Sequence, residues 1–407
     1  MDDSALGLDQ HRGERRRAAR GSASGAATPV GTANSAQARG RLFSRAAVGL
    51  LGLAILCSGS LLAVGPKDPA TAADALTAPW APLARPAASL TGPSVRDRTL
   101  RVGSWNVSSV TGDAKIGDGQ TSAERKRWKV REPEVVRQIV AARLAVLGLQ
   151  EVDACQCKRW RFAHGDTQFR DLRNSLNRAG VRYALTSNRV HGSRNNRILY
   201  KPRLLRLVKQ GSINFRYHDP RYGQKGMNWA VFEIRATGRR FLFTNTHLQV
   251  GPGSLGLEWR DFRYQVRKLQ RSRPHRPVVA VGDYNLSSCS SRKDDAAMKQ
   301  MGIPSVLDGT FCSFVKKAPL RAKTWTNLGL GSYNAYTRSL RYKRNCRPID
   351  EPGPTPCIGN SIDRMYVSRS IAVQHYEVRA RLNADKTALE GVIPSDHYLV
   401  TSTLLMP

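Results

Sequence analysis

Six short apolar runs in the chain carry, at one end, polar side chains that can do chemistry. In LRVGSWN, VLGLQE, FLFTNTH and VVAVGDYN the polar residues come last, and in SIDRMYV and SDHYLVTSTLL they come first. The residues concerned are Asn106, Glu151, His247, Asp283, Asn285, Asp363, Asp396 and His397. If the last two runs form strands antiparallel to the first four, all of these groups reach the same rim of one mixed sheet. We therefore predict a single site at that rim.

The chemistry that these residue types suit is the hydrolysis of a phosphoester. A phosphoester is an anion that repels nucleophiles, so a metal ion and cationic donors must neutralise its developing charge. A carboxylate and a carboxylate-oriented histidine can then position the water and protonate the departing oxygen. Each residue taken alone is more often a satisfied polar group at a strand end. Together they indicate a site, because carboxylates at the margin of an apolar core need a metal, a partner or water to offset their desolvation.

The order of the motifs WN, QE, NTH, GDYN, SID and SDH resembles that of the endonuclease/exonuclease/phosphatase superfamily, which includes pancreatic-type deoxyribonuclease and the abasic-site endonucleases. QE or SDH alone is worthless as a motif, but all six in the family's order form a specific signal over about Leu100 to Leu405. The resemblance implies an α/β fold of four layers, in which two packed mixed β-sheets are flanked by helices.

The resemblance also implies a metal site. Glu151 would be the principal ligand of a magnesium ion, with Asn106 and Asp396 nearby, and these are the hard oxygen ligands that Mg²⁺ prefers. Mn²⁺ or Ca²⁺ are the alternative ions. Asn106 would also contact the substrate.

For the reaction itself, the resemblance implies that Asp283 orients and helps to deprotonate the attacking water, while Asn285 holds a non-bridging phosphate oxygen. His397, oriented by Asp363, and His247 would supply proton transfer and hydrogen bonds to the phosphoryl group. Which group on the histidine side is the base stays open.

One position departs from deoxyribonuclease, which has a Glu supporting the first histidine on the strand that corresponds to Arg194 to Leu199. Here that stretch reads RNNRIL and has no carboxylate. Asn195 or Asn196 could serve in its place, so the difference bears on the subfamily rather than on catalysis.

The elements that must position these residues follow from hydrophobic periodicity. Strands are predicted at 100–107, 146–150, 182–185, 198–201, 229–234, 241–248, 278–282, 364–367 and 398–405. Helices are predicted at 132–145, 169–179, 258–271 and 294–301. Pro133 suits the first turn of the first helix. The stretch 311–360 gives no clear prediction beyond a long surface excursion.

The predicted catalytic domain spans residues 98–407. The residues before it have a different composition. Residues 46–66 contain no charge, which is long enough for a transmembrane helix. The Arg-rich tail at 1–45 places the N-terminus inside by the positive-inside rule, and a Pro/Ala-rich linker fills 67–97. We therefore expect a single-pass protein of the cell membrane with an extracellular catalytic domain. Secretion after signal-peptide cleavage around 70–75 is the alternative, and a buried core helix the least suited interpretation.

The cysteines fit an exported domain. Cys57 lies in the apolar span, and six lie after it: Cys155, Cys157, Cys289, Cys312, Cys346 and Cys357. An even number after an export signal predicts disulfides, and spacing favours Cys289 with Cys312 and Cys346 with Cys357. A metal role for Cys155 and Cys157 is the less favoured alternative, because no matching pair follows at zinc spacing.

Charge bears on the substrate. The net charge of +34 favours polyanions or anionic surfaces. Basic runs carry aromatics at 125–131 with Trp128, at 158–162 with Trp160, and at 260–276 with Phe262 and Tyr264, a pattern that suits phosphate contacts with base stacking. We therefore expect a nuclease that cleaves DNA or RNA.

Two alternatives to this nuclease interpretation remain open. One is a sphingomyelinase-like or other small-molecule phosphodiesterase or phosphatase. Another is a non-catalytic, polyanion-binding envelope protein. For each basic run taken alone, a solvated face or attachment to an anionic membrane or cell-wall surface is the alternative, and the runs together favour nucleic acid.

Overall fold

The structure is a computed structural model and describes residues 93–110, 127–154, 162–188, 190–219, 223–249, 252–271, 276–286, 292–305, 321–340, 359 and 361–407. The predicted tail and membrane anchor, most of the linker, and all seven cysteines lie outside these residues. No helix in the described ranges is long and apolar enough to cross a membrane.

The described chain alternates strands with helices. The strands are β1 (Thr99–Asn106), β2 (Val146–Gln150), β3 (Ala184–Leu185), β4 (Arg197–Tyr200), β5 (Leu205–Asp219), β6 (Gly223–Ile234), β7 (Arg240–His247), β8 (Val278–Asp283), β9 (Thr324–Thr326), β10 (Asp363–Val367), β11 (Ala372–Arg379) and β12 (Leu399–Leu405). The α-helices are α1 (Trp128–Ala142), α2 (Gln168–Arg178), α3 (Pro252–Arg271) and α4 (Arg292–Gln300), and short 3₁₀ helices cover Arg96–Arg98 and His191–Ser193.

The strands form two mixed sheets. The seven-stranded sheet has the order β3-β4-β2-β1-β12-β11-β9, and the five-stranded sheet the order β10-β8-β7-β6-β5. β12 runs antiparallel to β1, and β10 runs antiparallel to β8, as predicted for the two strands that follow their polar residues. The prediction of one rim on one sheet is wrong, because β1, β2 and β12 belong to one sheet and β7, β8 and β10 to the other.

Side-chain alternation explains the layers. Val102 on β1 and Ile198 on β4 pack with Phe232, Phe243 and Val281 of the five-stranded sheet, so the main core lies between the sheets. The outward faces of the strands pack against α1 and α2 on one side and against α3 and α4 on the other. The order is thus helices, sheet, sheet, helices, which confirms the predicted α/β sandwich.

The two sheets approach each other closely near the site. A Cβ atom on Gly148 of β2 would lie 2.5 Å from Cγ2 of Val281 on β8 and 2.7 Å from Oδ1 of Asn245 on β7. Two residues further along β2, Nε2 of Gln150 donates a 2.6 Å hydrogen bond to the same Asn245 oxygen. Glycine is therefore needed for close packing at this point, and a buried amide pair joins the sheets.

The predicted elements differ from the observed ones at the starts of helices and in several missed strands, and α3 begins at Pro252 rather than at 258. α1 begins at Trp128 rather than at 132, so Pro133 lies inside the helix and not in its first turn. The extension is stabilised by tertiary contact, since the buried Trp128 indole donates to Oδ2 of Asp171 on α2 at 2.7 Å. Strands β5, β9 and β11 and the first half of β6 have no predicted counterpart.

Candidate active site

The polar residues predicted from the sequence meet where the ends of both sheets come together. Asn106, His247 and Asp283 are the last residues of β1, β7 and β8, and Asp363 is the first residue of β10. Asp283 is paired in register with His247 on one side and with Asp363 on the other. On the side that faces the inter-sheet core, these strands are apolar except for one or two polar residues at the end that reaches the site. The mouth of the inter-sheet core is therefore the site.

Asn106 connects the two sheets within the site. Its side-chain amide donates one hydrogen bond to Oε1 of Glu151 and one to Oδ2 of Asp283, each of 3.0 Å. Its own oxygen accepts the backbone N–H of Ser108 at 3.1 Å. Because Glu151 follows β2 and Asp283 ends β8, this buried amide holds carboxylates from different sheets at a fixed separation.

Asp363 and His397 form a buried pair. Nδ1 of His397 lies 2.8 Å from Oδ2 of Asp363, and both side chains are buried. The His397 carbonyl accepts from the Trp105 indole at 3.0 Å, which fixes the backbone of the histidine. Burial alone lowers the pKa of the imidazole, but the negative charges of Asp363 and Asp283 outweigh it and hold the pKa of His397 well above its ordinary value.

Asp283 lies at the centre of the site. Its Oδ2 is 3.6 Å from Nε2 of His247 and 3.8 Å from Nε2 of His397, and its Oδ1 accepts the backbone N–H of Asn285 at 3.0 Å. The pKa of Asp283 is raised to about 7 because the carboxyl is buried and because Asp363 adds a nearby negative charge. A carboxyl with such a pKa can exchange a proton near neutral pH.

His247 is the uncharged histidine of the site. Burial and the positive charge of Lys225 lower its pKa to about 3. Its 3.9 Å separation from Oε1 of Glu151 and its approach to Asp283 are therefore contacts of a neutral ring, not ion pairs.

The two asparagines considered as partners of His247 make other hydrogen bonds. Oδ1 of Asn195 accepts from the backbone of Ala154 at 3.4 Å, and Nδ2 of Asn196 donates to the carbonyl of Gly226 at 3.5 Å. The carboxylates of Glu151 and Asp283 lie within 4 Å of the two ring nitrogens of His247.

Two groups of ligands for a metal ion can be compared. Asp283, Asp363 and His397 offer atoms that all lie within 4.8 Å of one another and could hold an ion. However, Nδ1 of His397 and Oδ2 of Asp363 are already joined by a hydrogen bond. Glu151 and Asp396 are carboxylates that lie close enough for the charge of Glu151, together with burial, to raise the pKa of Asp396. A divalent cation relieves such repulsion, so the predicted oxygen set also fits a hard metal ion.

Three residues of the site, Glu151 among them, have a left-handed backbone. The φ angles are 57° at Glu151, 50° at Asn285 and 58° at Ser108. Asparagine tolerates this region, whereas glutamate and serine adopt it at a cost of about 1–3 kcal/mol. The strain is maintained by hydrogen bonds on either side, such as that from the N–H of Val152 to the carbonyl of Asn195 at 2.9 Å. The folded structure thus fixes the direction in which Glu151 points.

The segment 327–340, here called the clamp loop, was not identified from the sequence. The Ser332 hydroxyl accepts the backbone N–H of Asp363 at 3.0 Å, and the Ser332 carbonyl accepts that of Tyr398 at 2.8 Å. The N–H of Asn334 donates to the carbonyl of Asp396 at 2.6 Å. One loop therefore holds the starts of both β10 and β12, and with them the pair of Asp363 and His397.

Two further residues position the site without taking part in its predicted chemistry. Arg131 of α1 is fully buried and donates to the carbonyls of Val107 at 2.7 Å and Pro394 at 2.8 Å, so it joins the loop after β1 to the loop before β12. Gln168 of α2 donates to the carbonyl of Ser108 at 2.9 Å. Their polar side chains on helices carried no motif that would have singled them out.

The aromatic residues of the basic runs are placed differently from the prediction. Trp128 and Phe262 are buried in the helix layers and cannot stack on a base. Tyr264 is exposed, with the Arg216 guanidinium 4.9 Å from its ring centroid, and Trp160 lies outside the described residues. Stacking by Trp128 and Phe262 is therefore a wrong prediction, because both side chains are required by the core.

The sequence matches a known protein family, and the fold is similar to those of solved structures. The profile of the Endonuclease/Exonuclease/phosphatase family matches residues 103–397. In fold the chain is similar to a protein of that family from Bacteroides thetaiotaomicron, with 18% identity, a TM-score of 0.53, and coverage of 76% of this chain and 95% of that chain. It is also similar to a mannosyl-6-phosphatase of B. thetaiotaomicron VPI-5482, with 18% identity, a TM-score of 0.52, and coverage of 75% and 100%.

A third similar structure, an endonuclease/exonuclease/phosphatase from Bacteroides vulgatus, has 17% identity and a TM-score of 0.50, with coverage of 76% of this chain and 99% of that chain. No protein with a curated description is significantly similar in sequence. At these identities the solved structures bear on the fold alone.

Proposed function

The chain belongs to the endonuclease/exonuclease/phosphatase family, and from that premise we propose that it is a divalent-metal-dependent hydrolase of phosphodiesters in nucleic acid. The observation that carries the hydrolase assignment is the convergence on Asp283 Oδ2 of Asn106 at 3.0 Å, His247 at 3.6 Å and His397 at 3.8 Å. Asp283 as a base, His397 as a cationic donor and His247 as a neutral donor form one buried cluster. This combination suits in-line attack of water on a phosphoester.

In the proposed reaction, Asp283 is the base. The amide of Asn106 and the N–H of Asn285 hold its two oxygens, and with a pKa of about 7 it can accept a proton from the attacking water. Its neighbour His397 is already protonated at neutral pH because its pKa is raised, so His397 serves as a donor rather than as the base.

The remaining residues either protonate the departing oxygen or bind the phosphoryl group. His397, held by Asp363, directs Nε2 toward the reacting group and protonates the departing oxygen. Neutral His247 donates a hydrogen bond, and Asn285 uses one amide proton on the Leu248 carbonyl at 2.8 Å and offers the other to a non-bridging oxygen. When bound by Glu151, Asn106 and Asp396, a magnesium ion, or manganese or calcium in its place, supplies positive charge that offsets the developing charge on the phosphoryl oxygens.

Nucleic acid as the substrate is supported by the net charge of +34. A polyanion bound through several Lys and Arg contacts releases counterions, so its affinity falls steeply with salt. A small phosphoester bound in the metal site depends on salt much less. The burial of Trp128 and Phe262 removes two of the stacking residues expected for a nuclease, and it favours the small-molecule phosphoesterase as the second candidate.

One experiment separates the two candidates. The full-length protein is assayed with Mg²⁺ on plasmid, single-stranded DNA, RNA, sphingomyelin and bis-nitrophenyl phosphate, at about 50 to 200 mM NaCl. A nuclease loses orders of magnitude in kcat/KM on nucleic acid across this range and little on the small diester. Cleavage of the small esters or of sphingomyelin, with none of nucleic acid at any salt, would exclude the nuclease function. If none of these substrates is cleaved, the interpretation as a non-catalytic polyanion-binding protein is the one that remains.

The cellular location is also a proposal. The uncharged stretch 46–66 and the Arg-rich residues before it support an anchor with the catalytic domain outside the membrane, where the basic domain could also contact anionic wall polymer or lipid. Protease added to intact cells should digest the catalytic domain and leave a small membrane-bound stub. Recovery of the full-length protein would reverse this topology.

A further inference from the structure

Tyr333 of the clamp loop is an exposed aromatic residue that contacts the site. Its backbone forms a β-bridge with His397, and the centroids of the two rings are 5.0 Å apart at an interplanar angle of 67°. The Tyr333 side chain is nevertheless 39% exposed, whereas His397 is 5% exposed. A group attached to a phosphate at His397 therefore lies within reach of the tyrosine ring.

The position of Tyr333 is fixed by its neighbours on both sides. Ser332 is fully buried and holds the backbone of Asp363 and Tyr398, and Asn334 is 1% exposed and donates to the carbonyls of Asp396 and, at 3.0 Å, Ser395. Two following residues, Ala335 and Tyr336, have φ angles of 55° and 58°, so the loop is held in an unusual conformation. An aromatic ring whose backbone is already ordered loses little entropy when a ligand stacks on it.

Tyr333 differs from the other large apolar side chains exposed on the described part of the chain. Those are Val95, Leu204, Val208, Leu257, Tyr264 and Val392. Tyr264, the other tyrosine among them, lies on α3 beside Arg216. Within the described residues, Tyr333 is thus the exposed aromatic that packs against a ring of the site.

We propose that Tyr333 stacks on the nucleobase next to the scissile phosphate, and that the preferred substrate is therefore single-stranded nucleic acid. This inference rests on the proposed nuclease function. A base in a duplex has both faces covered by its neighbours, so an aromatic residue beside the reacting phosphate can stack on it only where the strand is unpaired. Base stacking is tolerant of sequence, so Tyr333 selects strandedness rather than a particular base.

The test compares oligonucleotides that differ in one base. A single-stranded oligonucleotide with one cleavable phosphodiester, the others being blocked, is made with a normal nucleotide and with an abasic nucleotide beside the cleavable bond. For the full-length protein the ratio of kcat/KM for the two substrates should be about 10 or more, since each stacked base contributes on that order. Tyr333→Ala should bring the ratio close to 1, and Tyr333→Phe should restore most of it. Val208→Ala, at an exposed position on the edge strand β5, is the control for surface truncation and should keep the ratio of the unaltered protein.

The outcomes distinguish the inference from the function on which it rests. If Tyr333→Ala reduces cleavage of both oligonucleotides by the same factor, Tyr333 only supports His397 and the stacking proposal is wrong while the nuclease function stands. If duplex DNA is cut as fast as the single strand, the preference for unpaired bases is also wrong. If the unaltered protein cuts neither oligonucleotide and no plasmid or RNA, but hydrolyses bis-nitrophenyl phosphate, both the nuclease function and the stacking role fail.

Discussion

Nδ1 of His397 lies 2.8 Å from Oδ2 of Asp363, although 34 residues separate them in the chain. The pair places a carboxylate behind the imidazole, and Asp283 lies on the other side of the same ring, with its Oδ2 3.8 Å from Nε2. The charge on each of these three groups consequently depends on the other two.

Replacing Asp363 by Asn should lower the pKa of both neighbours. The negative charge of Asp363 raises the pKa of His397 by stabilising the imidazolium. Burial and, after it, the charge of Asp363 raise the pKa of Asp283 to about 7, because both disfavour the carboxylate. In Asp363→Asn, His397 should lose its proton, and Asp283 should ionise, at a lower pH than in the unaltered protein. NMR titration of the imidazole and carboxyl carbons in the metal-free protein measures both. A His397 pKa that does not fall would show that the charge of Asp363 does not act on the ring.

Removal of the metal, or of its principal carboxylate, should abolish turnover. EDTA is expected to stop hydrolysis and added Mg²⁺ to restore it, and Glu151→Gln should reduce kcat/KM by about 10² or more. Glu233→Gln is a matched control, because this glutamate pairs at 2.9 Å with Arg240, the first residue of β7, whereas His247 of the site is the last. Unchanged turnover of Glu151→Gln would remove Glu151 from the metal site.

Asp283→Asn and His397→Ala should reduce kcat while leaving KM nearly unchanged. Both residues are proposed to act on proton transfer, which contributes only in the transition state, and losses of about 10²–10⁴ are typical of such groups. Steady-state kinetics on the substrate identified by the panel provide the measurement. A rise in KM at constant kcat would mean that both residues bind the substrate and do not move protons.

Gly148→Ala should destabilise the fold and impair activity together. The added methyl group would lie 2.5 Å from Val281 and 2.7 Å from Asn245 in the other sheet, and overpacking of this kind costs about 1–3 kcal/mol. Gly256→Ala on α3 is the control and should not destabilise the fold. No neighbouring atom lies within 4 Å of its added Cβ, and alanine favours the helix by about 0.5–1 kcal/mol. Thermal unfolding and kcat of both variants test this. An unchanged melting temperature in Gly148→Ala would mean that the sheets tolerate a wider spacing.

The cysteines after the apolar span are predicted to form disulfides. Six of the seven cysteines follow that span, and export would expose them to an oxidising compartment. Thiol titration of the denatured, unreduced exported fragment, which lacks Cys57, should find fewer than six free thiols. Six free thiols would place the domain in a reducing compartment instead.

The site was predictable because its residues terminate strands with a strong apolar signal. Val278–Asp283 is buried throughout, and Phe241 to Phe243 precede His247 in the same way. A continuous apolar run that ends on a carboxylate or histidine marks both the strand and its functional end. The family assignment, which rested on these ends, is confirmed over residues 103–397.

The strands that were missed have interrupted periodicity. β5 is an edge strand in which Leu205 and Phe215 are the buried residues among those whose side chains are described, and its pairing shifts at 207–209 and at 214–218. β11 has a similar irregularity between Val373 and His375, so its buried residues do not alternate strictly. A bulge moves every later side chain to the other face, which removes the two-residue repeat from the sequence.

The clamp loop was missed for a different reason. Ser332 and Asn334 contact the backbone groups of Asp363 and Asp396, and backbone groups are the same at every position in the sequence. Local turn residues such as Ser and Asn indicate a loop but not its distant partners. The burial of Trp128 and Phe262 could not be predicted from the sequence either, because a basic run with an aromatic residue has the same composition whether the ring faces solvent or the core.

The origin of the site from two sheets makes hydrolysis a sensitive reporter of folding. Glu151 follows one sheet and Asp283 ends the other, and the distance between them is set by how the sheets lie on each other around Gly148 and the amide pair of Gln150 and Asn245. A collapsed chain with both sheets formed, but with one displaced by a single layer of side chains, would keep its circular dichroism and its compactness. It would nevertheless be inactive. The rate at which activity returns during refolding therefore reports when the sheets reach their native alignment.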